Sequence, residues 1–326
     1  MSRAVSSAHR REWLRDPRQI PVAELEGFDR GLAIVVRNWY WARTHGFADL
    51  LEEHDLNPLV RLPRDARKLA WRVSRRTEPG RAQPVLLLGA QRSGTNMVTY
   101  GLAMAPQVQV HNEGDRRAFE RYRLRPPEVL ARIVGSSRHE FVLFKPLEDS
   151  HRAVELLDEV GWNRPARALW VYREVDGRAR SAVAKFGDSN LRVLKKRAAS
   201  PGFRSWQLDG LSPESAALLD SFDPGCLSAL DGAALFWLVR NRIFFEHGLD
   251  RREDVLLVSY DRFIADPAPV MARICEFLGI PFTEALISHV ERRASRASQI
   301  SEISPPIHEL CDQLRLRLDA VAEVSA

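Results

Sequence analysis

Cysteine is scarce in this chain. Three occur in 326 residues, Cys226, Cys275 and Cys311, and no two have Cys-x-x-Cys spacing. Neither a disulfide framework nor a zinc site is implied, and a reducing compartment fits. Long apolar runs are lacking too. The nearest approach to the ~20 residues of a membrane span is Leu227–Val239, which is short and broken by Asp231. The opening residues, MSRAVSSAHRREWLRD, have no apolar core of a leader, so no secretory signal is expected and a cytoplasmic location is. There is little charge of one sign: 48 basic residues face 43 acidic ones, a net +5. That surplus suits anionic ligands and is too small to argue for nucleic acid. Internal repeats are absent.

What is present is enough apolar residue, 45%, to bury a sizeable core, in one large α/β domain or two small ones. The chain is organised around Pro84–Tyr100, PVLLLGAQRSGTNMVTY. Val85–Leu88 reads as a strand buried on both faces. Gly89–Gly94 is a glycine-bounded turn, and a helix follows from Thr95. Strand, glycine turn and helix start make an anion cradle, because loop N–H groups and the positive helix end converge on one point. Gly89-x-x-x-x-Gly94 has the spacing of a Walker A loop. Thr95, however, stands where that loop has its lysine, and Asn96 where it has its metal-holding hydroxyl. A nucleoside triphosphatase is therefore disfavoured, and the basic residue lies inside the loop, at Arg92.

Apolar strands are also expected at Val108–Val110, Phe141–Phe144, Ala168–Tyr172 and Val255–Val258. Helices are expected at Glu128–Val134, His151–Val160, Gly177–Lys185, Asp231–Glu246, Pro267–Leu278 and Ile307–Val321. Residues 187–230 read as irregular, with a helical excursion and a mobile loop. Pro21–Arg76 reads as helical, with segments at Phe47–His54 and Asp65–Val73, and forms a cap; a linker follows to Gln83. Alternating strands and helices predict a parallel sheet, whose ligands bind beyond the carboxyl ends of the strands. Each polar cluster lies just there: Gly89–Thr95, His111–Asp115, Lys145, Arg173–Glu174 and Tyr260–Asp261.

GAQRSGTN resembles the 5′-phosphosulfate loop of the sulfotransferases that use 3′-phosphoadenosine-5′-phosphosulfate (PAPS). Arg173 and Ser181, eight residues apart in YREVDGRARSAVAKFG, resemble the pair with which that family grips the donor's 3′-phosphate. The segment VLLVSYDRFIADPAPVMARICEFLGIPF resembles its C-terminal strand, loop and helix. The resemblance covers about residues 84–300 and implies a three-layer α/β domain with a central parallel sheet. This is the P-loop NTPase-like sulfotransferase fold, over residues 81–326, capped by helices in residues 1–80. It implies PAPS as donor, held by Gly89, Gln91, Arg92, Ser93, Gly94, Thr95, Asn96, Arg173 and Ser181, with Arg296 in a closing loop. No metal is expected, since arginine and backbone amides supply the needed charge. Lys145 is implied to stabilise charge on the leaving phosphate or the moving sulfuryl group. Two residues compete as base, Glu113 and His111. Glu113 is preferred, because NEGD is more like the motif of glutamate-using members, and Arg116 and Arg117 are expected to keep it ionised. The acceptor is expected to be a small molecule or a glycan, and oligomeric state is not legible. The alternatives are a P-loop kinase or hydrolase with a degenerate loop, and a non-catalytic protein that keeps the nucleotide fold.

Overall fold

A computed structural model describes residues 58–75, 78–200, 202–291 and 301–324, with scattered positions between 32 and 43. Five parallel strands form one sheet in the order β2-β5-β1-β6-β7. Their spans are β1 Gln83–Gly89, β2 Val108–His111, β5 Phe141–Phe144, β6 Arg167–Tyr172 and β7 Val255–Ser259. The first strand is central, paired with β5 on one side and β6 on the other. A strand flanked on both edges and covered on both faces has no solvent side, which is why its sequence is continuously apolar.

Its side chains still alternate between two cores. Leu86 and Leu88 join Trp170 and Tyr172 in one, while Val85 and Leu87 join Leu169 and Val171 in the other. The first core is closed by helices α5 (Val175–Phe186), α8 (Ala229–Glu246) and α11 (Pro305–Val324). The second is closed by α2 (Thr95–Met104) and α10 (Pro267–Leu278). Helix, sheet and helix layers follow, as the fold class requires.

Several boundaries differ from the sequence expectation. The linker is shorter, since Gln83 already pairs with Phe141. Residues 147–158 are a 3₁₀ turn, Leu147–Arg152, then a short helix α4, Ala153–Asp158. Residues 187–230 hold two regular helices, α6 (Ser189–Ala199) and α7 (Pro213–Asp220). Asp231, which breaks the apolar run, does so as half of a capping box. Ser228 Oγ accepts from Asp231 N while Asp231 Oδ2 accepts from Ser228 N, and this starts α8. Tyr260 opens a helix, α9 (Tyr260–Ala265), rather than ending a strand. A two-stranded hairpin, β3 (Phe119–Glu120) with β4 (Arg123–Leu124), has no counterpart in the sequence reading. Its turn puts Arg121 and Tyr122 at φ 51° and 70°, a conformation normally signalled by Asn or Gly.

Ahead of the sheet lies α1, Pro58–Arg75. It docks on the body through Lys68, whose Nζ donates to Val108 O at 2.7 Å, and through Trp71, stacked on His139 at 6.1 Å. The expected segment 47–54 lies outside the described residues. So do Arg292, Arg293 and Arg296.

Candidate active site

The glycine turn follows β1 and leads into α2. Gly89 has φ 130°, and a Cβ there would sit 2.3 Å from Val171 O on the neighbouring strand. Only glycine lets the chain leave the sheet at this point. Arg92 adopts φ 69°, a left-handed conformation uncommon for a side-chain-bearing residue. Gly94, at φ 86°, stands at the N-terminus of α2, where no side chain caps the first turn. A Cβ on Gly94 would lie 1.9 Å from Cδ2 of Tyr260, so the loop is packed directly against that ring. The hydroxyl of Ser93 is fully buried and has no hydrogen-bond partner. A buried, unmatched hydroxyl inside an amide-lined turn is what an anion cradle presents when it is read from the protein side alone.

The turn is braced from behind. Ser150 Oγ accepts from Gly89 N at 3.1 Å. Arg178, 1% exposed, donates from Nε to Gln91 O at 2.9 Å and from Nη1 to Ala233 O at 2.7 Å. Its guanidinium also lies 4.8 Å from the Phe236 ring centroid. Burial, with Arg92 and Arg173 nearby, pulls its pKa down to about 9. Nothing in the sequence distinguishes Arg178 from Arg180, the other arginine of α5, because its role depends on which face of the helix meets the loop.

The second cluster meets the first. Arg92 Nε donates to Ser181 Oγ at 3.1 Å, across 89 residues of chain. Arg173, just past β6, lays its guanidinium over Tyr260 at 4.9 Å, while its carbonyl accepts from Trp237 Nε1 at 2.8 Å. The Arg173 Nε is buried without a partner. Gly177 makes room for it, since a Cβ there would come 2.6 Å from Arg173 Nη2. Gly94, Tyr260 and Arg173 thus form one stack that joins the two clusters. The neighbouring carboxylates are already engaged: Glu174 Oε1 accepts from Gly177 N, and Asp261 Oδ2 accepts from Glu174 N.

At the other end of the loop, Lys145 Nζ donates to Asn96 Oδ1 at 2.6 Å and stands 4.0 Å from Glu113 Oε2. Lys145 is buried, and the Glu113 side chain is 17% exposed. The other carboxylate oxygen of Glu113, Oε1, is buried without a partner. Burial pushes the Glu113 pKa up to about 7 against the pull of Lys145. The expectation that Arg116 and Arg117 hold it ionised does not survive. Arg117 is bound to Asp115, through Nη2 at 2.6 Å, and no cation outweighs the loss of water.

His111 is placed differently. It is 1% exposed and stacked on Phe144 at 5.4 Å. Its Nδ1 is 2.7 Å from Asp115 Oδ2 and its Nε2 is 2.9 Å from the Gln109 amide nitrogen, so both ring nitrogens are engaged within the chain. Burial lowers its pKa. The loop between them is not extended: Asp115 N donates to Asn112 O at 2.8 Å, a turn that separates the roles of His111 and Glu113.

Beyond Glu113 lies a second shielded carboxyl, Glu148, 5% exposed and pushed up to about 8 by burial and by Glu113. Arg123 from the hairpin ties this region down, donating to Asp149 Oδ1 at 3.0 Å. Both glutamates ordinarily titrate near 4.5. Above about pH 7.5 the histidines whose pKa burial lowers, His111, His139, His151, His247 and His289, are essentially neutral in the folded and the unfolded chain. There the unfolded chain has already released the glutamate protons that the folded one partly retains, so stability falls as pH rises through 8. Thermal melts should show Tm dropping between about pH 7.5 and 8.5. Glu148→Gln should flatten that slope, and a wild-type protein whose Tm does not change there would contradict the assignment.

Comparison with known proteins gives the family of the chain. The model of the sulfotransferase domain family matches residues 82–302, more than half of the chain. The chain belongs to that family and is a sulfotransferase. Three solved structures are similar at low identity. A sulfotransferase from Alicyclobacillus acidocaldarius is 17% identical, covering 76% of this chain and 95% of its own, with a TM-score of 0.41. The sulfotransferase domain of the Synechococcus PCC 7002 olefin synthase is 18% identical, covering 76% and 96%, with a TM-score of 0.36. A mouse sulfotransferase complexed with PAP is 15% identical, covering 76% and 88%, with a TM-score of 0.38. No curated protein matches the chain.

Proposed function

We propose that this sulfotransferase moves the sulfuryl group of PAPS to a hydroxyl or amine of a small-molecule or glycan acceptor. The observation that carries the reading is the Arg92–Ser181 hydrogen bond together with the Gly94–Tyr260–Arg173 stack. Two anion-binding clusters far apart in sequence lie side by side, as a nucleotide with two separated phosphate groups needs. The donor fits the polar atoms left unmatched at each cluster, Ser93 Oγ and Arg173 Nε. The 5′-phosphosulfate is assigned to the amides of Gly89–Asn96, with Gln91, Arg92, Ser93, Gly94 and Thr95. The 3′-phosphate is assigned to Arg173 and Ser181, whose guanidinium and hydroxyl suit paired, charge-assisted hydrogen bonds. Arg296 remains a candidate for closing over that phosphate.

Glu113 is assigned as the base. One of its oxygens is unmatched and the other lies near a lysine that reaches the first turn of α2, so the acceptor proton and the developing charge are handled within one cluster. As the acceptor oxygen or nitrogen bonds to sulfur, Glu113 takes its proton. The sulfur–oxygen bond to the phosphate breaks, and the phosphate keeps that electron pair. Lys145 stands where it offsets this charge, the kind of fixed electrostatics on which loose group transfers depend. His111 positions the loop that carries Glu113 by holding Asp115.

Calorimetry with 3′,5′-bisphosphoadenosine and with ATP tests the donor. Tight binding of the first and weak binding of the second is expected; the reverse would favour a kinase. Arg173→Ala should weaken the bisphosphate by ~10–100-fold, the loss of one or two charge-assisted hydrogen bonds, and should leave ATP unaffected. Labelled donor incubated with a cell extract, followed by mass detection of the sulfated product, identifies the acceptor.

A further inference from the structure

Lys145 stands between two side-chain acceptors and bonds to the uncharged one. Its Nζ donates to Asn96 Oδ1 at 2.6 Å and lies 4.0 Å from Glu113 Oε2. A lysine–carboxylate hydrogen bond closes to about 2.7–2.9 Å, so the ammonium is held roughly 1 Å short of the carboxylate. Opposite charge alone would draw it the rest of the way. The Asn96 side chain is what holds it back. Asn96 is the second residue of α2, and that turn is fixed in place. Gly94 packs on the Tyr260 ring, and Thr99 Oγ1 donates back to Thr95 O at 2.8 Å. Lysine only donates, so the Asn96 amide gives Lys145 its oxygen and keeps its N–H groups for other partners. A bare amide oxygen at an anion-binding turn would be unfavourable. With the ammonium seated on it, the first turn of α2 presents positive charge instead.

The consequence falls on Glu113. Burial and Asp149 raise its pKa, whereas Lys145 and the Leu147 N–H lower it. Glu148, with Arg123 Nε 3.9 Å from its Oε2, lies in the same field. Lys145 differs from the other groups in having a long, flexible stem and two places to settle. Closed on the carboxylate, it would lock the base in an ion pair and carry its charge away from the glycine loop. Closure from 4.0 Å to about 2.8 Å, at an effective dielectric constant of about 20, would lower the Glu113 pKa by about one unit. Asn96 was expected among the ligands of the donor. Its backbone amide stays in the loop, but its side-chain oxygen is taken up by the lysine.

We propose that the Asn96 side chain is a positioning residue, which holds the Lys145 ammonium against the first turn of α2 and off Glu113, so that the base stays open and the cation stays beside the glycine loop. The proposal rests on the assignment of Glu113 and Lys145 above, and its test reads the carboxyl directly, without an acceptor. In full-length protein with the side-chain carboxyl carbons of glutamate isotopically labelled for NMR, the Glu113 resonance is identified by its loss in Glu113→Gln. Its titration midpoint should lie at about 7 in the wild type. It should fall by about one pH unit in Asn96→Ala, as the released lysine closes on the carboxylate. It should rise in Asn96→Asp, where a side chain of the same shape keeps the lysine and adds a negative neighbour. Calorimetry should find the affinity of Asn96→Ala for 3′,5′-bisphosphoadenosine within about threefold of wild type. An unmoved midpoint in Asn96→Ala overturns the proposal. So does an affinity loss of about tenfold in that variant without movement of the midpoint, which would make the side chain a ligand of the donor. Asn96→Asp keeps the volume of the side chain and decides the matter if Asn96→Ala does not fold: a midpoint that fails to rise there also overturns the proposal. If the midpoints move as expected while Glu113→Gln turns over normally, the positioning of Lys145 stands and the assignment of the base falls.

Discussion

Glu113→Gln is expected to lower kcat by roughly 10²–10⁴-fold, the usual contribution of a positioned general base, while the affinity for 3′,5′-bisphosphoadenosine stays within about twofold. The substitution keeps shape and removes only the ability to take a proton. The wild-type pH profile should show a matching signature. With the carboxyl held up to about 7 by burial, kcat/KM should rise about tenfold per pH unit below 7 and flatten above it. That limb should disappear in Glu113→Gln. A nearly normal Glu113→Gln enzyme would end the assignment. His111→Asn then separates the two candidates. A His111 that only holds Asp115 should cost far less in kcat and should leave the acid limb in place.

Lys145→Met should cost about 10²–10³-fold in kcat, comparable to the loss of one fixed donor at a site of developing charge. The aliphatic stem is kept, so the substitution removes the charge with little change in side-chain shape. A second effect distinguishes a catalytic lysine from one that merely fills space. Lys145 is the cation that pulls Glu113 downward, so removing it should move the acid limb of the profile above 7. Loss of activity without that movement would show that Lys145 acts on donor or acceptor alone. Rescue by Arg in its place is not expected, because the short Lys145–Asn96 contact leaves no room for a fork-shaped group.

The proposed base shows how far residue order reaches. Glu113 is legible as a candidate because it follows a strand, and the parallel pairing of β2 with β5 and of β5 with β1 puts the end of that strand on the same edge of the sheet as the glycine loop. Its state of ionisation is not legible. Arg116 and Arg117 are nearest in sequence, yet Arg117 turns to Asp115, and the cation that matters is Lys145, more than thirty residues away. His111 is equally visible in the sequence, and only the ring contacts at Asp115, Gln109 and Phe144 show it fully engaged. Arg178 and Tyr260 are missed as supports of the loop for the same reason: each acts through a contact on a different element.

From residue order come the layers, a first strand buried on both faces, the glycine turn that follows it, and Arg173 and Ser181 as candidates. These are properties of short segments: apolar runs too long to alternate, and glycines at both ends of a tight turn. Three-dimensional packing decided which carboxyl is shielded enough to work near neutral pH, and which arginines support the loop rather than the ligand. It also decided that Lys145 bonds to Asn96 and stops short of Glu113. Burial and charge pairing arise from what lies across space, and neighbours in space here are commonly tens of residues apart in the chain.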